Sequence, residues 1–166
     1  MNIRLASPND FSNIMILIHA CIVQMESRNI YQWDEIYPDE TTIRNDIANS
    51  ELWVIEDRDT LCGIIVLNQI QSPVYQQIEW RFKGKILVVH RLAIAPHCQG
   101  KNLATQLMSF AENLAIQRKF DVIRLDTFAK NPGAVRLYEK LHYHNAGTIE
   151  LRKGLFYCFE KQLLEP

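Results

Sequence analysis

The hydrophobic and polar positions along the chain change period several times, and each change marks a predicted element. A short strand is predicted at 3–6. Apolar residues then recur at helical spacing over 11–26, which predicts a long first helix. Ser7 precedes it as an N-cap, with Pro8 at the first helical position and Asp10 three residues beyond the cap. A second helix is predicted to begin after Asp39.

Strand patterns follow in the middle of the chain. The segments 52–56 and 61–67 flank a charged turn and predict a hairpin. The pattern at 74–82 is ambiguous and is compatible with a strand. A nearly continuous apolar run at 86–95 predicts a central strand buried on both faces.

The remaining third alternates helices and strands. Apolar residues at i, i+4, i+7, i+8 and i+11 predict an amphipathic helix beginning at Leu103. A strand at 122–127, a helix over 131–140 and two strands after Tyr143 follow. The order βα(α)βββαβαββ predicts an α/β fold with mixed strand directions, in a single domain covering 1–166.

Composition and charge narrow the classes of protein. The chain has 166 residues, 48% hydrophobic and 22% charged, with a formal net charge of -1. Nothing in this balance attracts the protein as a whole to nucleic acid or anionic lipid. The longest apolar run, 14–23, is too short to span a bilayer, and the N-terminus lacks the apolar segment of a signal peptide. We therefore expect a cytoplasmic protein with neither a nucleic-acid nor a membrane partner.

The cysteines give no sign of a metal site. Cys21, Cys62, Cys98 and Cys158 are far apart and form no CxxC pair. We expect no metal, and four free thiols in a reducing compartment.

The segment that carries chemistry follows the central strand. Gln99-Gly100-Lys101-Asn102-Leu103-Ala104 forms a polar loop that opens a helix. Such a loop presents backbone N–H groups to an anion, and Lys101 adds a cation. A nucleoside-triphosphate loop would need Gly where Ala95 stands and Ser or Thr where Asn102 stands, and no GxGxxG fingerprint is present.

Two motifs together resemble the GNAT superfamily of N-acetyltransferases. The loop 99–104 resembles that family's pyrophosphate loop, and 131–143 resembles its later Asn-x-x-Ala-x-x-Leu-Tyr-Glu-Lys-x-Gly-Phe segment. Asn102 replaces a glycine of the family pattern, but Asn tolerates left-handed backbone angles, so we expect the loop shape to persist. His142 and Tyr143 also depart from the pattern, at a turn.

The resemblance implies a fold and the donor of the acetyl group. It implies a mixed sheet of about seven strands flanked by about four helices, with a splay between the strands at 86–95 and 122–127. It also implies acetyl-coenzyme A as co-substrate. The residues that would contact it are Leu92, Ala93, Ile94, Gln99, Gly100, Lys101, Asn102, Leu103, Ala104, Asn131 and Tyr138.

The resemblance implies that Tyr138 protonates the leaving thiolate, although a core aromatic would fit the same helix. Asn131 would contact pantetheine, and it also suits the N-cap before Pro132. The base is open between Glu79, His90 and a water chain. His90 lies two residues before Leu92, on the same strand face if the backbone is regular.

The acceptor side is less defined. In the family, the region between the first two helices lines the acceptor pocket, which implies a substrate-binding role for Trp33 and Tyr37, with core packing as the alternative. Cys98 in the loop is interpreted as a spacer. The expected function is acetyl transfer to a small-molecule or peptide amine by direct attack; the alternative is a non-catalytic acyl-coenzyme A binder acting as a sensor. Exposed edge strands are compatible with a homodimer.

Overall fold

Seven strands and four helices make up the regular structure of residues 1–163, the part of the chain that the computed structural model describes. The strands are β1 (Asn2–Leu5), β2 (Leu52–Asp57), β3 (Thr60–Asn68), β4 (Ile86–Ile94), β5 (Val122–Phe128), β6 (His144–Leu151) and β7 (Gly154–Gln162). The helices are α1 (Phe11–Ser27), α2 (Glu40–Ala48), α3 (Leu103–Gln117) and α4 (Pro132–Lys140). The strands form one mixed sheet in the order β1-β2-β3-β4-β5-β7-β6, which confirms the predicted α/β class and element order.

The described residues group into two compact units. One comprises 1–67 and 91–107, and the other comprises 68–90 and the chain from 108 onwards. Both β4 and α3 contribute residues to each unit. That 1–166 acts as one domain stays a prediction.

In the first unit, β1, β2 and β3 form an antiparallel meander. Polar residues set the helix starts as the sequence predicted: the backbone N–H of Ser7 donates to the Asp10 carboxylate at 2.6 Å, and Asp39 accepts from the N–H of Thr42 at 2.9 Å. These bonds satisfy N–H groups that a helix leaves without a partner. The apolar face of α1 is buried through Ile14, Leu17, Ile18 and Cys21.

In the second unit, the whole of β5 pairs with β7, and β7 also pairs with β6 as a hairpin; both pairings are antiparallel. The parallel pairing of β4 with β5 covers only Ile86–Val88 against Val122–Arg124, although β4 continues to Ile94 and β5 to Phe128. A pairing this short is what the predicted splay requires.

The segment 74–82 is not a strand, so that expectation is wrong. It begins with a 3-10 turn over Pro73–Gln77 and continues without regular structure. The carboxylate of Glu160, which is fully buried, accepts from the backbone N–H of Arg81 at 2.7 Å and of Phe82 at 3.2 Å. Backbone donors that a strand would pair with a neighbour are satisfied here by a side chain. We call residues 71–82 the strap.

The backbone of β4 is interrupted at Arg91, whose φ of 46° lies in the left-handed region. The prediction that His90 and Leu92 share a face assumed regular extended backbone between them. The left-handed residue breaks that alternation, so this part of the argument for His90 fails.

The cysteines also differ from expectation. Cys62 and Cys98 form a disulfide, with Cα atoms 5.6 Å apart, whereas Cys21 and Cys158 are free and buried. The expectation of four free thiols is therefore wrong for two of them, because β3 and the loop after β4 bring distant positions together. No helix among the described residues is long and apolar enough to cross a membrane.

Candidate active site

The loop after β4 has the backbone of an anion-binding turn. Gly100 has a φ of 80° and Asn102 a φ of 61°, so the predicted left-handed tolerance of Asn102 is used. A Cβ on Gly100 would meet no atom within 4 Å, so the glycine is needed for its backbone angle and leaves open space beside the loop. The carbonyl of Asn102 accepts from the N–H of Gln106 at 3.1 Å, which starts the helical ladder of α3. The N–H groups of the first turn thus lie at a helix N-terminus.

Side chains fasten the loop at its start. The Nε2 of Gln99 donates to Oε1 of Gln24 at 2.7 Å and to the carbonyl of Ile94 at 3.2 Å. Cys98, one residue earlier, is bonded to Cys62 of β3. In the described structure, Gln99 therefore orients the loop through its side chain.

Lys101 lies at the outer side of the loop. Its Nζ is 3.8 Å from a carboxylate oxygen of Asp57, and both side chains are well exposed. An exposed ion pair of this kind is worth about 0–1 kcal/mol. The Lys101 ammonium can therefore exchange this partner for a phosphate at little cost.

The end of β4 is packed closely against β3. A Cβ on Gly63 would lie 2.7 Å from Cδ1 of Ile94 and 2.9 Å from the carbonyl oxygen of Ala93. The N–H of Ala95 donates to the carbonyl of Cys62 at 2.8 Å. Gly63 is thus a positioning residue that the sequence analysis missed; an isolated glycine inside an apolar strand was the available signal. Leu92 and Ile94 remain partly accessible.

The predicted acceptor-side aromatics differ in their surroundings. Trp33 is buried, as a core residue would be, whereas Tyr37 is exposed. The hydroxyl of Tyr37 accepts a hydrogen bond from Nη1 of Arg91, and the same guanidinium binds Asp46 on α2. Arg91 therefore holds Tyr37 in place.

Tyr138 is buried on α4. Its ring lies 5.6 Å from that of Phe159 and 6.0 Å from that of Tyr143, measured between centroids. Burial, and then the charge of Asp126, raise the pKa of Tyr138 well above its usual value. The hydroxyl is thus protonated at neutral pH, as a proton donor must be. Asn131 is the N-cap of α4, its Oδ1 accepting from the N–H of Ala134 at 3.2 Å.

Neither predicted base is placed as expected. The Nε2 of His90 lies 3.0 Å from Oδ1 of Asn68 and 3.1 Å from the carbonyl of Ile70. The carbonyl of Ile70 can only accept, so Nε2 is the donor in that hydrogen bond and a proton could be taken only at Nδ1. Glu79 is exposed on the irregular part of the strap rather than on a strand.

A carboxylate that the sequence analysis overlooked lies in the same unit as Tyr138. Asp126 in β5 accepts a 2.6 Å hydrogen bond from the hydroxyl of Tyr75 in the strap. An Asp inside the strand Val-Ile-Arg-Leu-Asp-Thr-Phe was the available signal, because acids are rarely placed in a central strand.

A mixed sheet with a glycine-containing loop between β4 and α3 is compatible with an acyl-coenzyme A-dependent acetyltransferase. The Acetyltransferase (GNAT) family matches residues 19–143, most of the chain. The protein belongs to this family.

Solved structures agree with the family assignment. A GNAT-family acetyltransferase from Streptococcus agalactiae is 28% identical, with 97% of this chain and 94% of that chain covered and a TM-score of 0.85. One from Listeria monocytogenes is 25% identical, with 98% and 94% covered and a TM-score of 0.78. A Salmonella typhimurium protein solved with its cofactor acetyl-CoA shares the fold at 19% identity, with 100% and 95% covered and a TM-score of 0.71. No curated protein matches the chain.

Proposed function

We propose that the protein transfers an acetyl group from acetyl-coenzyme A to a primary amine by direct attack of the amine on the thioester. The observation that carries the proposal is the pair of left-handed residues, Gly100 and Asn102, at the N-terminus of α3. A turn of this shape aims successive backbone N–H groups at one point, which suits a pyrophosphate. The acetyl-CoA complex of the related Salmonella protein supports the same cofactor here.

Within the first unit, different residues would bind different parts of acetyl-coenzyme A. The N–H groups over 99–104 would bind the pyrophosphate, with Lys101 as a mobile cation. The backbone of Leu92, Ala93 and Ile94 would pair with the pantetheine arm as an added strand does. An N–H group near Leu92 or Ala93 would polarise the thioester carbonyl, where negative charge develops.

Within the second unit, Tyr138 would complete the reaction. As the amine nitrogen bonds to the acetyl carbon and the C–S bond breaks, the thiolate takes the hydroxyl proton of Tyr138. Because the Oδ1 of Asn131 caps α4, its contact with pantetheine would use Nδ2.

The acceptor is a small-molecule or peptide amine, recognised in part by exposed Tyr37. Its ring can stack on an apolar or cationic group, and its position is fixed by Arg91. The buried Trp33 would pack under the segment that carries Tyr37. The proposal places the protein in the cytoplasm, as a monomer or homodimer.

Binding is tested first. Acetyl-coenzyme A should raise the melting temperature, because a ligand that binds only the native state stabilises it by mass action. The double change Gln99→Ala and Gly100→Val should remove this shift, and it should also lower the melting temperature without cofactor by a few degrees, because Val is strained at a φ of 80°. Absence of any shift at millimolar cofactor would refute the assigned cofactor.

Turnover is tested second, by thiol release against a panel of polyamines, amino acids, aminoglycosides and peptides. Release that depends on an amine, with an acetylated product identified by mass spectrometry, is the expected result. Cofactor binding without turnover on any amine would favour a non-catalytic acyl-coenzyme A sensor instead.

A further inference from the structure

One of the contacts between the strap and the sheet is a hydrogen-bonded acid, Asp126. The hydroxyl of Tyr75 donates to Oδ2 of Asp126 at 2.6 Å, across 51 positions of sequence. Tyr75 is buried, and the indole N–H of Trp80 donates to its backbone carbonyl at 2.9 Å. Asp126 keeps some exposure to solvent. As a whole residue, Asp126 is thus half-buried, whereas its tyrosine partner is enclosed.

The groups around Asp126 come from four elements. Besides Tyr75 they are Tyr138 of α4, Cys158, which is the register partner of Asp126 in β7, and Arg124, which precedes it by two in β5. Burial, with the charge of Asp126 as a second cause, raises the pKa of Cys158 to about 12, so this thiol is neutral.

Arg124 does not form an ion pair with Asp126. Its guanidinium donates to Oε1 of Gln71 and to the carbonyl of Phe82, and lies 4.2 Å over the ring of Trp80. The Asp126 carboxylate is thus held by a neutral donor. It can take a proton without breaking a salt bridge.

We propose that Asp126 is the general base of the acetyl transfer, and that Tyr75 positions it. This inference rests on the proposed function. The acceptor arrives as an ammonium ion and gives one N–H proton to Oδ1 or Oδ2 of Asp126. The freed nitrogen lone pair forms the C–N bond, the C–S bond breaks, and the departing sulfur takes the Tyr138 proton. The second N–H proton is lost from the adduct to water, and both side chains then exchange protons with solvent.

Burial makes the first transfer feasible. An ammonium ion and a carboxylate both lose hydration in a partly enclosed site, which favours the neutral amine and the neutral acid over the ion pair. Burial raises the pKa of Asp126, in part opposed by the hydrogen bond from Tyr75. Asp126 is therefore a better proton acceptor than an exposed aspartate.

The same proton also prepares Tyr138. While Asp126 is charged, it contributes to the raised pKa of the Tyr138 hydroxyl. Protonation of Asp126 removes that charge and makes Tyr138 a stronger acid at the stage when the thiolate leaves. Base and acid would thus act in a fixed order.

The decisive variant is Asp126→Asn, with Glu150→Gln on exposed β6 as a matched control for the loss of a carboxylate. On the best amine found for the wild type, Asp126→Asn should lower kcat/KM by about 10²–10⁴-fold at neutral pH. The deficit should shrink as the pH approaches the pKa of the amine, because free amine needs no base. The acetyl-coenzyme A thermal shift should be unchanged.

The variant Tyr75→Phe provides a second test, the pH profile of kcat/KM. This profile would not change if Tyr75 had only a structural role. The Tyr75 hydrogen bond lowers the pKa of Asp126, so its removal should raise that pKa. Since the base works deprotonated, the acidic limb of the kcat/KM profile should move to higher pH. This variant also tests the proposal if Asp126→Asn fails to fold.

Three outcomes are distinguishable. A wild-type protein that acetylates no amine refutes the proposed function and this inference with it. An active wild type with an unchanged rate and pH profile in Asp126→Asn refutes only the inference. An unmoved acidic limb in Tyr75→Phe likewise overturns it, even if the rate falls.

Discussion

Arg91 donates two hydrogen bonds of 2.7 Å, from Nε and Nη2, to the two carboxylate oxygens of Asp46. The exposed fractions of the two side chains are 9% and 7%. This pair joins the left-handed residue of β4 to helix α2, and Arg91 also reaches the hydroxyl of Tyr37. One guanidinium therefore holds both the kink in the strand and the loop before α2.

Removing the carboxylate should be costly. Asp46→Ala leaves a buried guanidinium without its counter-ion, and breaking a buried pair in this way costs about 3–5 kcal/mol of unfolding free energy. Urea unfolding measures the loss. The control is Glu40→Ala on the same helix, since the Glu40–Arg44 pair is 3.6 Å apart and more than half exposed. It should cost at most about 1 kcal/mol; equal losses would contradict the importance of the buried pair.

The second prediction concerns Asn102. A β-branched residue cannot adopt a φ of 61° without strain, so Asn102→Val should lower stability by roughly 1–2 kcal/mol and weaken the acetyl-coenzyme A thermal shift. Asn102→Gly should preserve both. Lys119→Val is the matched control, because Lys119 has a φ of 57° in the exposed turn two residues after the end of α3. It should lose stability but keep the cofactor shift; a lost shift there would mean that strain acts globally.

The third prediction compares the effect on kcat of removing the hydroxyl of Tyr138 with that of removing the hydroxyl of Tyr143. Tyr138→Phe keeps the ring packed against Phe159 but removes the hydroxyl, so kcat should fall by about 10²-fold with little change in the KM for acetyl-coenzyme A. Tyr143→Phe, which changes a buried ring 6.0 Å away, should leave kcat near the wild-type value. Steady-state measurements of kcat and KM for both variants test this prediction. Unchanged turnover in Tyr138→Phe would remove this residue from the chemistry.

The fourth prediction concerns acid stability. Hydrogen bonds from Arg4 at 2.8 and 2.9 Å hold the pKa of Asp10 well below its usual range. A depressed pKa stabilises the fold at pH values above about 3.9, the unfolded value, and the contribution is lost as the pH falls further. Asp10→Asn should therefore be less stable than the wild type at pH 7, and the difference should shrink progressively below pH about 4. A difference that is constant with pH, measured by urea unfolding, would contradict the assignment.

The fifth prediction concerns the disulfide between Cys62 and Cys98. Because it joins positions 36 residues apart, the cross-link removes unfolded-state entropy worth about 4 kcal/mol. Dithiothreitol should lower the melting temperature of the wild type and leave the variant with both cysteines changed to serine unaffected. Equal responses of the two proteins to the reductant would show that the thiols are not paired.

Most helices and strands could be predicted from sequence because the preferences of neighbouring residues for caps and apolar spacing match the structure that forms. The caps at Ser7, Asp39 and Asn131 and the apolar spacing of α3 depend on neighbours within a few residues. The anion loop was predictable for the same reason, since its backbone angles belong to Gly100 and Asn102 themselves.

The failures all involve partners distant in sequence. Nothing near the strap shows that Glu160 will take the N–H groups of Arg81 and Phe82, so its β-like pattern was misleading. The pairing of Cys62 with Cys98 and the hydrogen bond between Tyr75 and Asp126 likewise depend on the assembled fold. The sequence analysis therefore placed the candidate bases on β4 and the strap, whereas the base we propose, Asp126, lies on β5.

The attachment of the strap affects how this protein can diversify. Glu160 binds backbone N–H groups, which every amino acid except proline supplies, so it does not depend on which side chains stand at 81 and 82. Any residue except proline at 81 and 82 therefore leaves this attachment intact as long as Glu160 stays. In evolutionary terms, the attachment constrains position 160 rather than positions 81 and 82, whereas the contacts of Tyr75 and Trp80 constrain the rest of the strap through their side chains.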